Sequence, residues 1–337
     1  MIRLGVLDQS PVPAGTDPAQ ALADTVALAV EVEQLGYSRF WLAEHHNTAS
    51  LAGTSPEVTA TAVAAATTSM RVGAGGVMLS HYSPFRVAEV FRTLAALFPG
   101  RIDLGIGRAS GTDTPAEDAL RYTAEPQPEE LFARRVLDLV RFLGEGFKPG
   151  HPFGGVRAMP EPSPTAPGPE LWMLASSGHS GATAASLGLP LCFAHFITPT
   201  WSSRVVAEYR QRFSPSPTLG KSRASMAVGV VCAASDDEAR RLALSGEVWR
   251  LRPEGSARGP LLSPEAAAAE AEGWSELDRE RAAQQRAGVV VGSPDRVKDR
   301  LEALAEEHAV DELLVVTVCS DPVARTTSYR LIAAALL

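Results

Sequence analysis

An apolar run, Phe40-Trp41-Leu42-Ala43, ends abruptly in Glu44, His45 and His46. Three titratable side chains at the end of a strand-like segment read as a site, because burying them without partners costs free energy. Side chains alternate between the faces of a strand, so one of the two histidines is expected to do the work unless the strand has already stopped. An imidazole titrates near ~6.5, which suits it to move a proton at a reacting centre above it. A structural reading stays open, in which both rings only hydrogen-bond backbone at the rim of the fold. A metal reading lacks its spacing: H-E-x-x-H and H-x-H are absent, and position 41, where H-x-x-E-H needs histidine, is Trp. No metal is expected.

Four further segments carry chemistry-bearing residues. Gly73, Gly75 and Gly76 interrupt a strand-like stretch, and glycine inside a strand marks a bulge or a close backbone approach. Gly75-Gly76 is therefore a candidate platform for a flat ligand, with a simple bend in the sheet as the alternative. Gly105-Ile106-Gly107 suggests a dinucleotide-binding turn, but Ser110 stands where the third glycine belongs and Pro115 follows where a helix should open. Arg108, just past that strand, suits a phosphate or another anion, a surface ion pair being its alternative. Ser176, Ser177 and Ser180 precede a helix expected over 182–187, and hydroxyls with free N–H groups at a helix start form an anion pocket. His195 ends another strand-like run and is expected to line the same rim.

These residues need a frame. Strand-like runs occur at 4–7, 40–43, 71–74, 102–106, 171–175, 191–194, 227–231 and 312–317, with helical stretches between them. Alternation of this kind predicts parallel strands joined by crossover helices, an α/β fold of the (β/α)8 TIM-barrel type with insertions. Asp17 and Pro18 should open the first helix and Gly36 close it; Ser293-Pro294 should open the one before the last strand. Residues 148–170, rich in proline and glycine, are expected to form an ordered loop without regular structure. Residues 251–288 form a second insertion after the seventh strand, with a helix over 264–272, and are the candidate lid; a solvated Ala/Glu helix is the plainer reading. No linker divides the chain, so residues 1–337 are read as one domain.

Bulk properties narrow the function classes. The 337 residues carry a formal charge of −8 with no basic stripe, which argues against a nucleic-acid partner. Cys192, Cys232 and Cys319 are isolated and odd in number, unlike a disulfide frame or a zinc knuckle, and fit a reducing cytoplasm. No apolar run reaches the ~18 residues that span a bilayer, and the amino terminus enters a strand at once, so no membrane association is expected.

Taken together, Leu-Gly-Val-Leu-Asp-Gln-Ser-Pro, Trp-Leu-Ala-Glu-His-His, Gly-Arg-Ile-Asp-Leu-Gly-Ile-Gly-Arg and Val-Val-Gly-Ser-Pro give a pattern that resembles the bacterial luciferase-like flavin monooxygenases over nearly the whole chain. The resemblance implies a (β/α)8 barrel that takes reduced FMN (FMNH2) from a separate reductase and forms a flavin C4a-hydroperoxide with O2 to oxidise a small or medium organic substrate. It implies His45 as the acid/base group near the flavin; Glu44, His46 and His195, by their places at strand ends, are expected to line the site. It places the platform under the isoalloxazine, often a non-prolyl cis peptide, on Gly75-Gly76. It assigns the phosphate to Arg108 with Ser176, Ser177 and Ser180, and it implies a homodimer. Gly107 replaces a cysteine of true luciferase and Ser176 a glutamate of its phosphate cluster, so the chain looks like the generic, non-luminescent branch. Two alternatives keep the fold: hydride transfer with the deazaflavin F420, and flavin binding without catalysis.

Overall fold

A computed structural model describes residues 2–121, 123, 130–253 and 255–337. Nine parallel strands are present among them: β1 (Arg3–Asp8), β2 (Arg39–Leu42), β3 (Arg71–Met78), β4 (Ile102–Gly107), β5 (Glu170–Ala175), β6 (Leu191–Ala194), β7 (Ala224–Cys232), β8 (Val289–Gly292) and β9 (Glu312–Val316). Strands β1 to β7 pair in order, β7 also pairs with β9, and β9 returns to β1. The result is a closed eight-stranded barrel, as the sequence pattern predicts. Strand β8 is the exception. It lies outside the ring and was not expected from the sequence. The nine-residue β7 pairs with β6 up to Ala227 and with β8 from Gly229 onward, which gives the short Val289-Val290-Val291 run a ladder of its own.

Among the described residues twelve α-helices surround the strands: α1 (Pro18–Gln34), α2 (Pro56–Ala66), α3 (Pro84–Leu97), α4 (Thr114–Arg121), α5 (Glu130–Leu143), α6 (Gly178–Leu187), α7 (Ser202–Gln211), α8 (Asp236–Leu251), α9 (Pro264–Glu272), α10 (Glu276–Arg286), α11 (Pro294–Glu307) and α12 (Pro322–Leu336). Helix α1 starts as its residues predict, with Asp17 accepting a hydrogen bond from the Ala19 N–H and proline in the first turn. Gly36, at φ +91°, then takes the left-handed conformation that turns the chain into β2. Residues 148–169 contain no helix or strand. The 251–288 insertion folds into a 3₁₀ turn (Gly255–Arg258), α9 and α10. Buried Leu261 pins it to the loop after β1, exchanging backbone hydrogen bonds with Val12 and Ala14.

Inside the barrel the side chains form layers. At the amino-terminal ends of the strands, buried Arg39 donates to Glu312 at 2.8 Å and to Asp103 at 2.6 Å. The Trp41 indole N–H also donates to Asp103, at 2.8 Å. Above this polar floor sits an apolar layer that includes Leu7, Trp41, Trp172 and Leu314, with the two indoles edge to face at 5.4 Å. The open end of the barrel, above that layer, is left for chemistry.

Candidate active site

Strand β3 supplies the wall on which a ligand would lie. Ala74 pairs with Leu104 and Val77 with Ile106, so Gly75 and Gly76 together face the single residue Gly105 across a bulge. A Cβ on Gly76 would stand 2.7 Å from the Gly105 carbonyl oxygen, and one on Gly75 would stand 2.7 Å from Leu7 Cδ1. Neighbouring chain therefore demands glycine at both positions. The peptide between them is cis.

Both glycines line a cavity of about 210 Å³ at the carboxyl ends of the strands. His45 and Arg108 line it too, and so do Ser176, Ser177 and Ser180. Helix α6 begins at Gly178, four residues before the start expected from the sequence, because Ser177 takes the extended N-cap conformation. Its hydroxyl makes no capping bond. Ser180 thus falls in the first helical turn, where main-chain N–H groups have no partner inside the helix and attract anions.

Strand β2 stops at Leu42, so the Glu44-His45-His46 turn is set by backbone contacts: His45 N–H donates to the Gly53 carbonyl and His46 N–H to that of Gly111. The two rings part company. The buried Glu44 carboxylate accepts from the Met78 N–H at 2.9 Å and the Tyr82 hydroxyl at 2.7 Å, and lies 2.8 Å from His46 Nε2. Glu44 and His46 are not among the cavity's lining residues; they tie the end of β2 to that of β3. His45 does line the cavity, and its Nδ1 is buried without a hydrogen-bond partner. Burial, and then the Arg258 charge, lower the His45 pKa to about 4 against the opposing pull of Glu44. The ring is neutral at pH 7.

His195 is also placed elsewhere. Strand β6 ends at Ala194, and the chain turns so that Phe196 and Ile197 reach the cavity. His195 Nδ1 lies 3.1 Å from the Ser202 hydroxyl at the start of α7, which in turn lies 2.9 Å from His308 Nε2. Burial, with the His308 charge second, lowers the His195 pKa to about 4. This predicts acid sensitivity. An unfolded histidine titrates near ~6.5, so as pH falls through 6.5 the unfolded chain takes up a proton that folded His195 refuses. Stability present above that pH is lost on the way to 4, on the order of 3 kcal/mol for this group. Urea unfolding at pH 7 and 4.5 should show a smaller loss in His195→Gln than in wild type; equal losses would remove the assignment.

A second cavity of about 220 Å³ adjoins the first, and the two share Gln9, His45, Phe196 and Ile197 as lining. Gln9 was missed in the sequence, although it follows β1 much as Glu44 follows β2, a polar residue at the carboxyl end of a barrel strand. Trp249, Arg250, Arg258 and Gln285 reach the second cavity from α8 and the insertion, where no local motif marks them. A larger open recess, about 1370 Å³, lies on the outer side of β8 and contains none of the expected site residues. Among the described residues no group of three or more His, Cys, Asp or Glu stands close enough to hold a metal ion, and no helix is long and apolar enough to cross a membrane.

A closed parallel barrel with a largely apolar cavity, carrying a few polar side chains, at the carboxyl ends of its strands defines a TIM-barrel protein with that cavity where the fold usually keeps its chemistry. The chain belongs to the luciferase-like monooxygenase family, whose model matches residues 2–312. It is accordingly a flavin-dependent oxidoreductase of the luciferase-like type. It is similar to the N-acetyl-S-alkylcysteine monooxygenase of Bacillus subtilis (34% identity, covering 100% of this chain and 99% of that one). Similarity extends to a luciferase-like monooxygenase of Escherichia coli K12 (34% identity, 98% and 96% coverage). Among solved structures, apo-MsnO8 matches with a TM-score of 0.90 at 40% identity, covering 99% of this chain and 98% of that one.

Proposed function

We propose that the protein is an FMNH2-dependent monooxygenase that uses O2 to oxidise a small or medium organic substrate, with reduced flavin supplied by a separate reductase. One observation carries this reading: an anion-ready helix start, an arginine, a glycine wall and a neutral histidine all line one cavity. The name of the Bacillus subtilis relative supports a small organic substrate. The unpartnered Gln9 Oε1 and His45 Nδ1 fit a ligand that brings polar atoms of its own.

In this reading Arg108, Ser176, Ser177, Ser180 and the first N–H groups of α6 hold the flavin phosphate. Gly75-Gly76 lies against the flat ring system, where a side chain has no room. Bound reduced flavin supplies the electrons that activate O2. His45, neutral and in contact with both cavities, holds or moves a proton at Nδ1. Residues 251–288 wall the mouth on the β1 side and help to exclude water from the reaction.

The phosphate assignment gives the test. In Arg108→Ala the loss of a charge-assisted contact, about 1.5–3 kcal/mol, should weaken FMN binding by one to two orders of magnitude. Riboflavin, which lacks the phosphate, should bind the variant and the wild type alike. Equal losses for both ligands, or none for FMN, would refute the assignment. Oxidation of a turned-over substrate under isotopically labelled O2 should place one labelled oxygen atom in the product.

A further inference from the structure

The residues that line the second cavity carry more unmet polar atoms than those of the first. Trp249 Nε1 and Arg250 Nε are donors without acceptors, and Gln9 Oε1 and Gln285 Oε1 are acceptors without donors. Trp249 is 5% exposed and Gln9 7% exposed, so neither atom is satisfied by open solvent, and such groups are costly to leave unmet. The lining contains two guanidiniums, Arg250 and Arg258, and no carboxylate. Glu247, on the same helix as Arg250, is engaged by Arg286 through Nε and Nη2, both at 2.8 Å. Arg258 is held with its guanidinium 4.7 Å from the Trp249 ring centroid, and donates to the Arg252 carbonyl at 3.2 Å.

We propose that this second cavity is the substrate chamber, and that it takes an organic acid: a molecule whose carboxylate meets Arg250 and whose neighbouring amide or hydroxyl meets the glutamine oxygens. The inference rests on the flavin reading of the adjoining cavity. The chemistry follows from the inventory of the walls. A carboxylate supplies the acceptors that Arg250 Nε–H and Trp249 Nε1–H lack, in the planar geometry that a guanidinium matches. An N–H or O–H group supplies the donors that Gln9 and Gln285 lack. Held in this way, the remainder of the molecule reaches the wall shared with the flavin cavity, formed by His45, Phe196 and Ile197. The insertion contributes Arg258 and Gln285 to the chamber, which gives the segment a role in selecting substrate.

The test uses the full chain and matched probes: N-acetylmethionine and N-acetylphenylalanine, each beside its neutral carboxamide, with binding followed by tryptophan fluorescence. At least one acid should bind wild type about tenfold or more tightly than its carboxamide. Arg250→Met should remove that preference and Arg250→Lys should keep part of it; among the described residues Arg250 Nε has no hydrogen-bond partner to lose. FMN affinity, titrated separately, should stay within about twofold of wild type in both variants. No preference in wild type, no binding of either acid, or a preference that survives in Arg250→Met would overturn the proposal. Failure of wild type to bind FMN would instead sink the flavin reading beneath it.

Discussion

Replacing His45 with alanine is expected to lower turnover by about 10²–10⁴-fold while leaving FMN affinity within a few-fold of wild type. Binding and chemistry separate here because the phosphate contacts assigned to Arg108 and the α6 start are on other strands. With its pKa held to about 4, the imidazole is a neutral acceptor across the neutral range. Turnover should therefore be flat from pH 8 to about 5 and fall as pH approaches 4, where protonation removes the acceptor. The alanine variant should lack that acidic limb. Steady-state rates from pH 4 to 8, with flavin titrations at each end, decide the matter. Unchanged turnover in His45→Ala would remove the proton-transfer role, and a parallel loss of flavin binding would reduce it to a structural one.

The second large effect concerns stability. Arg39 is 3% exposed and sits beneath the apolar layer, between Asp103 and Glu312, with its guanidinium 4.8 Å from the Trp172 ring centroid. In Arg39→Met the volume is roughly kept, but Glu312 and one oxygen of Asp103 lose a buried cation. Removing one member of a buried ion pair costs about 3–5 kcal/mol, because the partner charge stays desolvated. Asp103 keeps a second guanidinium, Arg71, whose Nε donates at 2.8 Å, so the lower half of that range is expected. Chemical denaturation should show it as a lower midpoint with an unchanged slope. A loss below about 1 kcal/mol would mean that the polar floor is dispensable.

The frame of the molecule was legible because it is local. Eight apolar runs became the eight barrel strands, and the Asp17-Pro18 start and the Gly36 turn follow from the preferences of single residues. Gly75-Gly76 was legible as a break in a strand, and the cause turned out to be the approach of Gly105, Leu7 and the Trp41 side chain. Strand β8 was not legible, since four residues between two helices carry too little periodicity and are ordered only by the overhang of β7. Helix α10 was likewise missed, although its Ser275/Asp278 capping box is a local signal. At the site, His45 and His46 diverge, but β2 stops at Leu42, so the backbone contacts of the turn part them and strand alternation does not. Nor could alternation show that β6 ends one residue before His195 and presents Phe196 to the cavity in its place. Arg250 and Gln285 were beyond reach for another reason. They meet Gln9 and His45 only through tertiary contact between α8, the insertion and the barrel mouth, and nothing in their own neighbourhoods records it.

The central claim is that the first cavity holds reduced FMN. The most direct measurement is anaerobic titration of the protein with reduced FMN and reduced F420 in parallel, followed by admission of oxygen. Saturable binding of reduced FMN, weakened in Arg108→Ala, is expected, with oxygen consumption coupled to substrate oxidation once air enters. Preferential binding of F420 with oxygen-independent turnover, or no binding of either cofactor, would contradict that claim.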